Sequence, residues 1–367
     1  MLNLSQNGSS VWVAAAAELA LTPTAVALGK FDGVHLGHQR VIQPILQSAI
    51  AEQRWRNGET PEVNLSPHPV TAPNLNSPQK RAYSTVVTFH PHPQEFFTGQ
   101  PRALLTPLDE KVELLRSLGV EQLVLLPFDK ELSALSPEEF VEKILVKQLQ
   151  CQKISVGQDF CFGKKREGTA QDLQSLAAKY NIPVTIVPIK TYTDELPPDG
   201  HSLDPELTAD DRISTSLIRQ TLEAGDIPQS NILLGRPYTL TGVVIPGQKL
   251  GRTIGFPTAN LQLPEDKFLP RSGVYAVQVL VRGEATSTTP TMIQGVMNIG
   301  NRPTVNGTHR AVEVHLFNWS SDLYGKTLIV QLVRFLRPEQ KFSSLEALRS
   351  QIQQDCAVAR EIFRTEC

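Results

Sequence analysis

The feature that most constrains the fold is a change in the rhythm of apolar residues near residue 230. From residue 24 to 190, short runs rich in Val, Ile and Leu alternate with segments whose apolar residues recur at helical spacing. The runs are Thr24–Leu28, Thr85–Phe89, Leu123–Leu126, Ile154–Gly157 and Val184–Pro188. Continuous apolar runs of this length read as strands buried on both faces of a parallel sheet. Their alternation with helices predicts an open parallel α/β sheet. Thr106-Pro107-Leu108-Asp109 opens one such helix, with Val112, Leu115 and Leu118 on one face and Gly119 at its C′ position. Ser136-Pro137-Glu138-Glu139 opens another, with an N-cap, a proline at N1 and two acids facing the helix dipole. Pro44 falls inside the helix expected after the first strand, where it predicts a kink.

After residue 230 the candidate strands follow one another with no long helix between them. They are Tyr238–Ile245, Gly273–Leu280, Met292–Ile299, Ala311–Phe317 and Thr327–Phe335, separated by Gly, Pro, Asn and Asp. This texture predicts an antiparallel barrel or sandwich, with a closing helix over Ser344–Asp355. A length of 367 residues suits two domains, which we place at 1–228 and 229–367. The halves differ in charge, with 20 basic and 27 acidic side chains in the first against 15 and 10 in the second. A net charge of −2 offers no polybasic field for nucleic acid or an anionic membrane. Cys151, Cys161, Cys356 and Cys367 form no C-x-x-C pair, so neither a zinc site nor a disulfide framework is expected, and a reducing cytoplasm fits. Val11–Gly29 is rich in Ala and Val, but Glu18 and Pro23 interrupt it and no Lys or Arg precedes Lys30, which argues against export and membrane insertion. Asn57–Lys80, with five prolines and four asparagines in 24 residues, reads as a flexible surface insertion. Thr193–Asp211, rich in acids and proline, reads as another flexible loop.

The sharpest chemical signal is Gly29-Lys30-Phe31-Asp32-Gly33-Val34-His35-Leu36-Gly37-His38. It follows an expected strand and leads into an expected helix, which puts it at the carboxyl edge of the sheet, where doubly wound folds bind ligands. The glycines permit close backbone approach. His35 and His38 can both face a polyphosphate at the helix start and stabilise charge growing on phosphorus by positioning rather than by nucleophilic attack. H-x-x-H is also the spacing of a metal pair, yet no third ligand stands nearby in sequence. Three further segments bear on the same half. Thr88-Phe89-His90-Pro91-His92-Pro93 ends the second strand, Val156-Gly157-Gln158-Asp159-Phe160-Cys161-Phe162-Gly163 ends the fourth, and Ile213-Ser214-Thr215-Ser216-Leu217-Ile218-Arg219 follows the acidic loop. Ser214, Thr215, Ser216 and Arg219 offer hydroxyls and a forked cation for a triphosphate, or simply a helix cap and a surface arginine. Asp159, Phe160 and Phe162 offer polar and aromatic contacts at a ligand edge or, equally, form a strand end with core aromatics. His92 suits a phosphate, or a rigid Pro-His-Pro turn.

In the second half, residues 242–260 form a glycine-dense run that ends Phe256-Pro257-Thr258-Ala259-Asn260. Such a loop can wrap phosphates through Gly247, Gly251 and Arg252, while Thr258 and Asn260 present oxygen ligands suited to Mg²⁺. Read alone, it is as well a glycine-rich hairpin connection. Glu313, on an alternating strand, reads alone as a solvent-facing side chain.

Taken together, these segments resemble the H-x-G-H nucleotidylyltransferases, and more closely their flavin-adenylating branch, the prokaryotic bifunctional riboflavin kinase/FMN adenylyltransferases. The I-S-T-S-L-I-R segment differs from that branch by exchanged Ser and Thr, which preserves both hydroxyls. Pro257-Thr258-Ala259-Asn260 resembles the P-T-A-N motif of the riboflavin kinase module. Gly273-Val274-Tyr275-Ala276, Asn298-Ile299-Gly300-Asn301-Arg302-Pro303-Thr304, Glu313-Val314-His315-Leu316-Phe317 and Asp322-Leu323-Tyr324-Gly325 follow in family order. The resemblance covers roughly residues 20–355 outside the Asn57–Lys80 insertion. It implies a Rossmann-like nucleotidylyltransferase domain followed by a β-barrel kinase domain, with riboflavin, FMN and ATP as substrates, FAD as product, and Mg²⁺ as cofactor. It further implies catalytic roles for His35, His38, Arg219 and Glu313, the last as proton acceptor. Nucleotide would be bound at Gly29, Phe31, Asp32, Gly37, Ser214, Thr215, Ser216, Gly247, Gly251 and Arg252. Flavin would be bound at Phe89, His92, Asp159, Phe160, Phe162 and Arg302, and metal at Thr258 and Asn260. The competing readings are a one-activity adenylyl- or cytidylyltransferase with a regulatory barrel, and a flavin- or nucleic-acid-binding protein without catalysis.

Overall fold

The computed structural model describes residues 11–46, 81–189, 191, 212–247, 250–282, 292–304 and 307–366. The two expected flexible loops, 57–80 and 193–211, lie outside the described residues. The chain divides into two compact units, Met1–Thr215 and Ser216–Cys367.

The first unit is built on a six-stranded sheet in the order β1-β4-β3-β2-β5-β8, every pair parallel. Five strands match the apolar runs: β2 Thr24–Leu28, β3 Tyr83–His90, β4 Gln122–Pro127, β5 Cys151–Gly157 and β8 Val184–Val187. The sixth, β1 Trp12–Ala14, pairs with β4 at the sheet edge and was not legible, because three residues of an Ala-rich stretch carry no period. A two-stranded ribbon, β6 Cys161–Phe162 with β7 Gly168–Thr169, follows β5. The sheet is covered on both faces. One core gathers Val26, Leu28, Val124, Leu145, Ile154 and Leu173, and the other gathers Phe31, Ile42, Val86, Leu115 and Leu123. From β2 the chain builds outward through β3 and β4, then returns to the other side of β2 with β5. The carboxyl ends of β2 and β5 therefore flank the topological switch point, where open α/β sheets place their ligands.

Pro44 resolves without a kink. The helix Leu36–Ile42 ends before it, and Gln43–Ile45 forms a single 3₁₀ turn. Ser136 caps as expected, in a reciprocal capping box with Glu139, and the chain continues as a π-helix over Phe140–Gln148. Thr106 does not cap the helix Leu108–Ser117. Its hydroxyl instead accepts the amide of Gly33 at 2.9 Å, and Pro107 stands at the N-cap.

The second unit is a closed barrel in the order β10-β13-β12-β11-β14-β9, formed by β9 Thr239–Ile245, β10 Ala259–Gln262, β11 Gly273–Val281, β12 Ile293–Thr304, β13 Gly307–Leu316 and β14 Thr327–Arg337. All six pairings are antiparallel. Closure depends on β10, a strand that the glycine-rich run concealed. Tyr275, Val277, Ile299, Val330 and Leu332 are fully buried. The helices Thr215–Ala224 and Ile227–Leu234 hold to this unit through polar contacts. Arg271 donates its amide to Leu222 O at 3.0 Å, and Asn231 donates its side-chain amide to Leu332 O at 3.0 Å.

The closing helix runs over Leu345–Glu366, eleven residues beyond Asp355. Its Cys356, Ala359 and Phe363 pack on Val274, Ala276, Val296 and Phe317 of the barrel wall. A bidentate ion pair pins it: Arg337 Nε and Nη2 meet the two Asp355 oxygens at 2.8 and 2.7 Å, and Gln351 Nε2 adds a third bond at 3.0 Å. Asp355 is buried. Removing one partner of a buried pair strands the other charge. Asp355→Ala is therefore expected to destabilise this unit by about 3 kcal/mol, read as a lowered urea midpoint for the barrel transition. A midpoint within error of the parent would show that the helix is held by apolar packing alone.

Among the described residues no helix is long and apolar enough to cross a membrane. Cys151, Cys161 and Cys356 are free, and burial lifts the thiols of Cys151 and Cys356 to about 12 and about 11, so neither supplies a thiolate near neutrality.

Candidate active sites

In the first unit the His-Gly-His turn leaves β2 with an unusual backbone. Phe31, Gly33 and Val34 all have positive φ, at 48°, 91° and 43°, a conformation that costs a side-chain-bearing residue on the order of 1–3 kcal/mol unless its surroundings enforce it. They do so by side-chain bonds from four other segments. The buried Asp32 carboxylate accepts the amides of Leu105 at 2.8 Å and Thr106 at 3.3 Å. Thr106 accepts from Gly33. Thr88 donates to Lys30 O at 2.9 Å, Gln39 to Val34 O at 3.0 Å, and Thr215 to Asp32 O at 3.0 Å. Asp32 and Thr215 are thus placed to shape the turn, and fully buried Phe31 forms its floor.

What the turn presents is the pair of imidazoles. His35 is the N-cap of Leu36–Ile42, its Nδ1 accepting the His38 amide at 3.3 Å. With Nδ1 engaged as acceptor, the neutral ring carries its proton on Nε2. The two rings stack at 3.7 Å with 20° between planes, and Phe31 lies 5.2 Å from His38. A side chain at Gly37 would crowd this stack. A Cβ there would sit 3.2 Å from His35 Nδ1 and Cε1. Gly29 is similarly close to the ring of Phe31, at 3.1 Å.

The surroundings are electropositive. His92, following β3, caps the helix Pro93–Thr98 in a capping box with Glu95, its Nδ1 accepting the Gln94 amide at 3.1 Å. Burial first, then the charges of Lys30 and Arg102, push its pKa down to about 4, against the pull of Asp32 and Glu95. The ring is neutral near pH 7 and offers Nε2–H as a donor. Lys30 is itself lowered, by burial first and then by Arg166 and Arg102, with Asp159 opposing. Cations crowded this way are relieved by an anion. Asp159, just beyond β5, pairs with Arg212, and its carboxylate lies 3.1 Å from where a Cβ on Gly157 would stand.

The expected aromatic contacts divide. Phe162 is buried, 5.6 Å from Phe140 in the core, while Phe160 stacks on it at 5.8 Å and is only partly buried. Phe89 meets Phe128 edge-on at 5.6 Å, and Phe128 in turn contacts Phe96 and Phe97, the latter 71% exposed. Phe128 belongs to this cluster at the carboxyl edge and was not legible, since it follows β4 without a motif. Ser214 lies beside Thr215 in the first unit. Ser216 and Arg219 belong to the second unit, where the Arg219 guanidinium lies 4.7 Å over Phe268.

In the barrel, the register brings the second constellation together. Asn260 on β10 pairs directly with Glu313 on β13, and directly opposed residues share a face with their Cβ atoms about 5 Å apart. Thr258 immediately precedes β10. Gly247 and Gly251 close over this pair: a side chain at Gly247 would overlap the Asn260 amide, and one at Gly251 would press on Thr258 Oγ1 at 3.3 Å. Hard oxygen donors beneath a glycine cradle suit Mg²⁺. Asn260 is a strand residue, not the loop residue that its glycine-rich context suggested. Arg252 is exposed beside Gly251, and the side chain of Arg302 lies outside the described residues. His315 follows Glu313 by two residues on the same face of β13. Its Nδ1 is 2.9 Å from Pro257 O, fixing the backbone that leads into Thr258.

Comparison with known proteins follows this division. Residues 234–363 match a family model described as riboflavin kinase, and residues 18–78 and 68–196 match one described as FAD synthetase. The bifunctional riboflavin kinase/FMN adenylyltransferase of Bacillus subtilis is 35% identical over 345 residues, covering 92% of each chain. The chain belongs to the bifunctional riboflavin kinase/FMN adenylyltransferase family. The Escherichia coli K12 member is 36% identical over 339 residues, again 92% of each chain. A solved structure of a macrolide-efflux protein from Streptococcus pneumoniae shares the architecture, with a TM-score of 0.71 and 26% identity over 95% of this chain and 98% of that one. Riboflavin kinase/FMN adenylyltransferase chemistry needs one site that joins a nucleotide to a phosphate and another that phosphorylates an alcohol. The two constellations differ in that sense, one built of imidazoles and cations, the other of a carboxylate and oxygen ligands.

Proposed function

We propose that the family's two ATP-dependent steps are divided between the two constellations, with FMN adenylylation in residues 1–228 and riboflavin phosphorylation in residues 229–367. In the first step an FMN phosphate oxygen attacks the α-phosphorus of ATP, the bond to the β-phosphate breaks, and pyrophosphate leaves. The nucleophile is already an anion at neutral pH, so no base is required. The task of His35, His38 and His92 is to donate to the phosphates, within the positive surround of Lys30 and Arg102. Asp159 and the Phe89 and Phe160 rings at the same sheet edge suit the flavin.

In the second step the 5′-hydroxyl of riboflavin attacks the γ-phosphorus of ATP, its proton passes to Glu313, and ADP leaves. Thr258 and Asn260 would hold Mg²⁺, which supplies charge neutralisation for the phosphates when bound. The observation that carries this reading is the direct cross-strand pairing of Asn260 with Glu313 beneath Gly247 and Gly251. It supports a proton acceptor standing beside metal-type ligands in a unit that does not contain the imidazole pair. Purified protein incubated with riboflavin and Mg-ATP, with flavins resolved by chromatography, is expected to form FMN and then FAD. Formation of one product alone would favour a single-activity transferase, and formation of neither would overturn the reading.

A further inference from the structure

Pro257, which leads into Thr258 and Asn260, has no N–H, so its carbonyl is the one backbone group through which it can be tied down. The partner of that carbonyl is His315. The ladder between β10 and β13 runs as far as Ala259 with Val314, and the next step along it sets Thr258 beside His315. His315 is anchored on its other side, where Val296 of β12 is its direct partner. A carbonyl oxygen can only accept, so the Nδ1 that stands 2.9 Å from Pro257 O carries the proton. The ring is held from both sides. Phe256 meets it edge-on at 5.3 Å and Phe317 at 6.1 Å. Phe317 is backed in turn by Phe363 at 6.5 Å and by the Arg360 guanidinium at 4.3 Å, both from the closing helix. Phe256 itself donates its amide to Gly251 O at 2.8 Å, so the segment before Thr258 is tied to the glycine cradle as well as to β13.

We infer that His315 is a positioning residue for riboflavin phosphorylation: its Nδ1–H, aimed by the rings on either side, holds the Pro257 carbonyl and so fixes where the backbone presents Thr258 ahead of Asn260. Mg²⁺ demands near-ideal ligand geometry, so a ligand residue on a loosened backbone weakens the hold on the metal-bound nucleotide and leaves the hold on riboflavin unchanged. This inference rests on Thr258 and Asn260 being the metal ligands proposed above.

The test uses the full-length protein and compares His315→Asn, His315→Phe and Thr258→Ala. Asparagine keeps an N–H donor at the place of Nδ1 and gives up the ring, whereas phenylalanine keeps the ring and gives up the donor. His315→Phe is expected to lower kcat/KM for ATP in riboflavin phosphorylation by about tenfold, the effect of leaving one carbonyl unpaired, with KM for riboflavin within about threefold. His315→Asn should stay within about threefold of the parent, because the hydrogen bond is kept. A second readout needs no turnover: the affinity for ADP, measured by calorimetry with Mg²⁺ and again with EDTA. The gain in affinity that Mg²⁺ brings should shrink by about tenfold in His315→Phe and persist in His315→Asn. The first unit is the same in every variant, so a difference among them arises in the barrel. If His315→Phe matches the parent in both readouts, or if His315→Asn fails as badly as His315→Phe, the ring serves packing alone and the inference falls. If Thr258→Ala itself keeps the parental gain from Mg²⁺, the reading beneath the inference falls.

Discussion

Replacing His38 with alanine is expected to lower conversion of FMN to FAD by roughly 100- to 1,000-fold, while phosphorylation of riboflavin continues at its parental rate. The magnitude follows from the proposed role. A preorganised donor aimed at charge that develops on a phosphate is worth about 3 kcal/mol in a water-poor site, and removing His38 also removes the surface on which His35 stacks at 3.7 Å. The turn itself should survive, because its strained residues are held by Asp32, Thr88, Thr106 and Thr215 and not by the imidazoles. The measurement is a pair of initial rates on one preparation, FAD from FMN and FMN from riboflavin. Equal loss of both rates in a folded protein would mean that the sites are not separate. An unchanged rate of FAD formation would remove His38 from the chemistry.

The reciprocal experiment is Glu313→Ala, for which FMN formation is expected to fall by roughly 100- to 10,000-fold, the range for loss of a general base, with FAD formation from supplied FMN intact. Glu313 lies on the outer wall, flanked by Val312 and Val314, which point into the barrel core and are 3% and 1% exposed. Truncating the side chain therefore opens no core cavity, and the expected stability change is small. Thermal unfolding followed alongside the assay separates a chemical effect from a folding one. If the variant phosphorylates riboflavin normally, another group takes the proton and the cross-strand pair with Asn260 is structural.

Much of this was legible in the sequence because the signals are local. A buried parallel strand is a continuous apolar run, so β2 was located to the residue, and the others within a few residues of their ends. Gly29 through His38 announced a strand-to-helix turn through its glycines alone. What could not be read has non-local causes. Thr106 looked like a helix cap because Thr-Pro-Leu-Asp is a capping pattern, but its hydroxyl is taken by Gly33, which lies 73 residues earlier. The short strand β10 was concealed by the glycines before it, since strand identity there comes from pairing on both sides with β9 and β13. Asp32 reads as a nucleotide contact because it stands in the motif; the two amides that its buried carboxylate accepts, from Leu105 and Thr106, could not be read from sequence because they lie 73 and 74 residues on. Phe162 and Phe160 are close in pattern, yet Phe162 is buried against Phe140 and Phe160 only partly buried, a distinction that depends on where Phe140 packs.

The bonds that tie down the His-Gly-His turn also bear on when catalysis becomes available during synthesis of the chain. Asp32 receives its amide donors from residues 105 and 106, and its carbonyl receives a hydroxyl from residue 215, a separation of 183 positions. A ribosome-bound precursor that ends before Thr215 holds the histidines and all six strands of the sheet but not the last of these restraints. The restraints on the turn are therefore complete only once residue 215 has emerged.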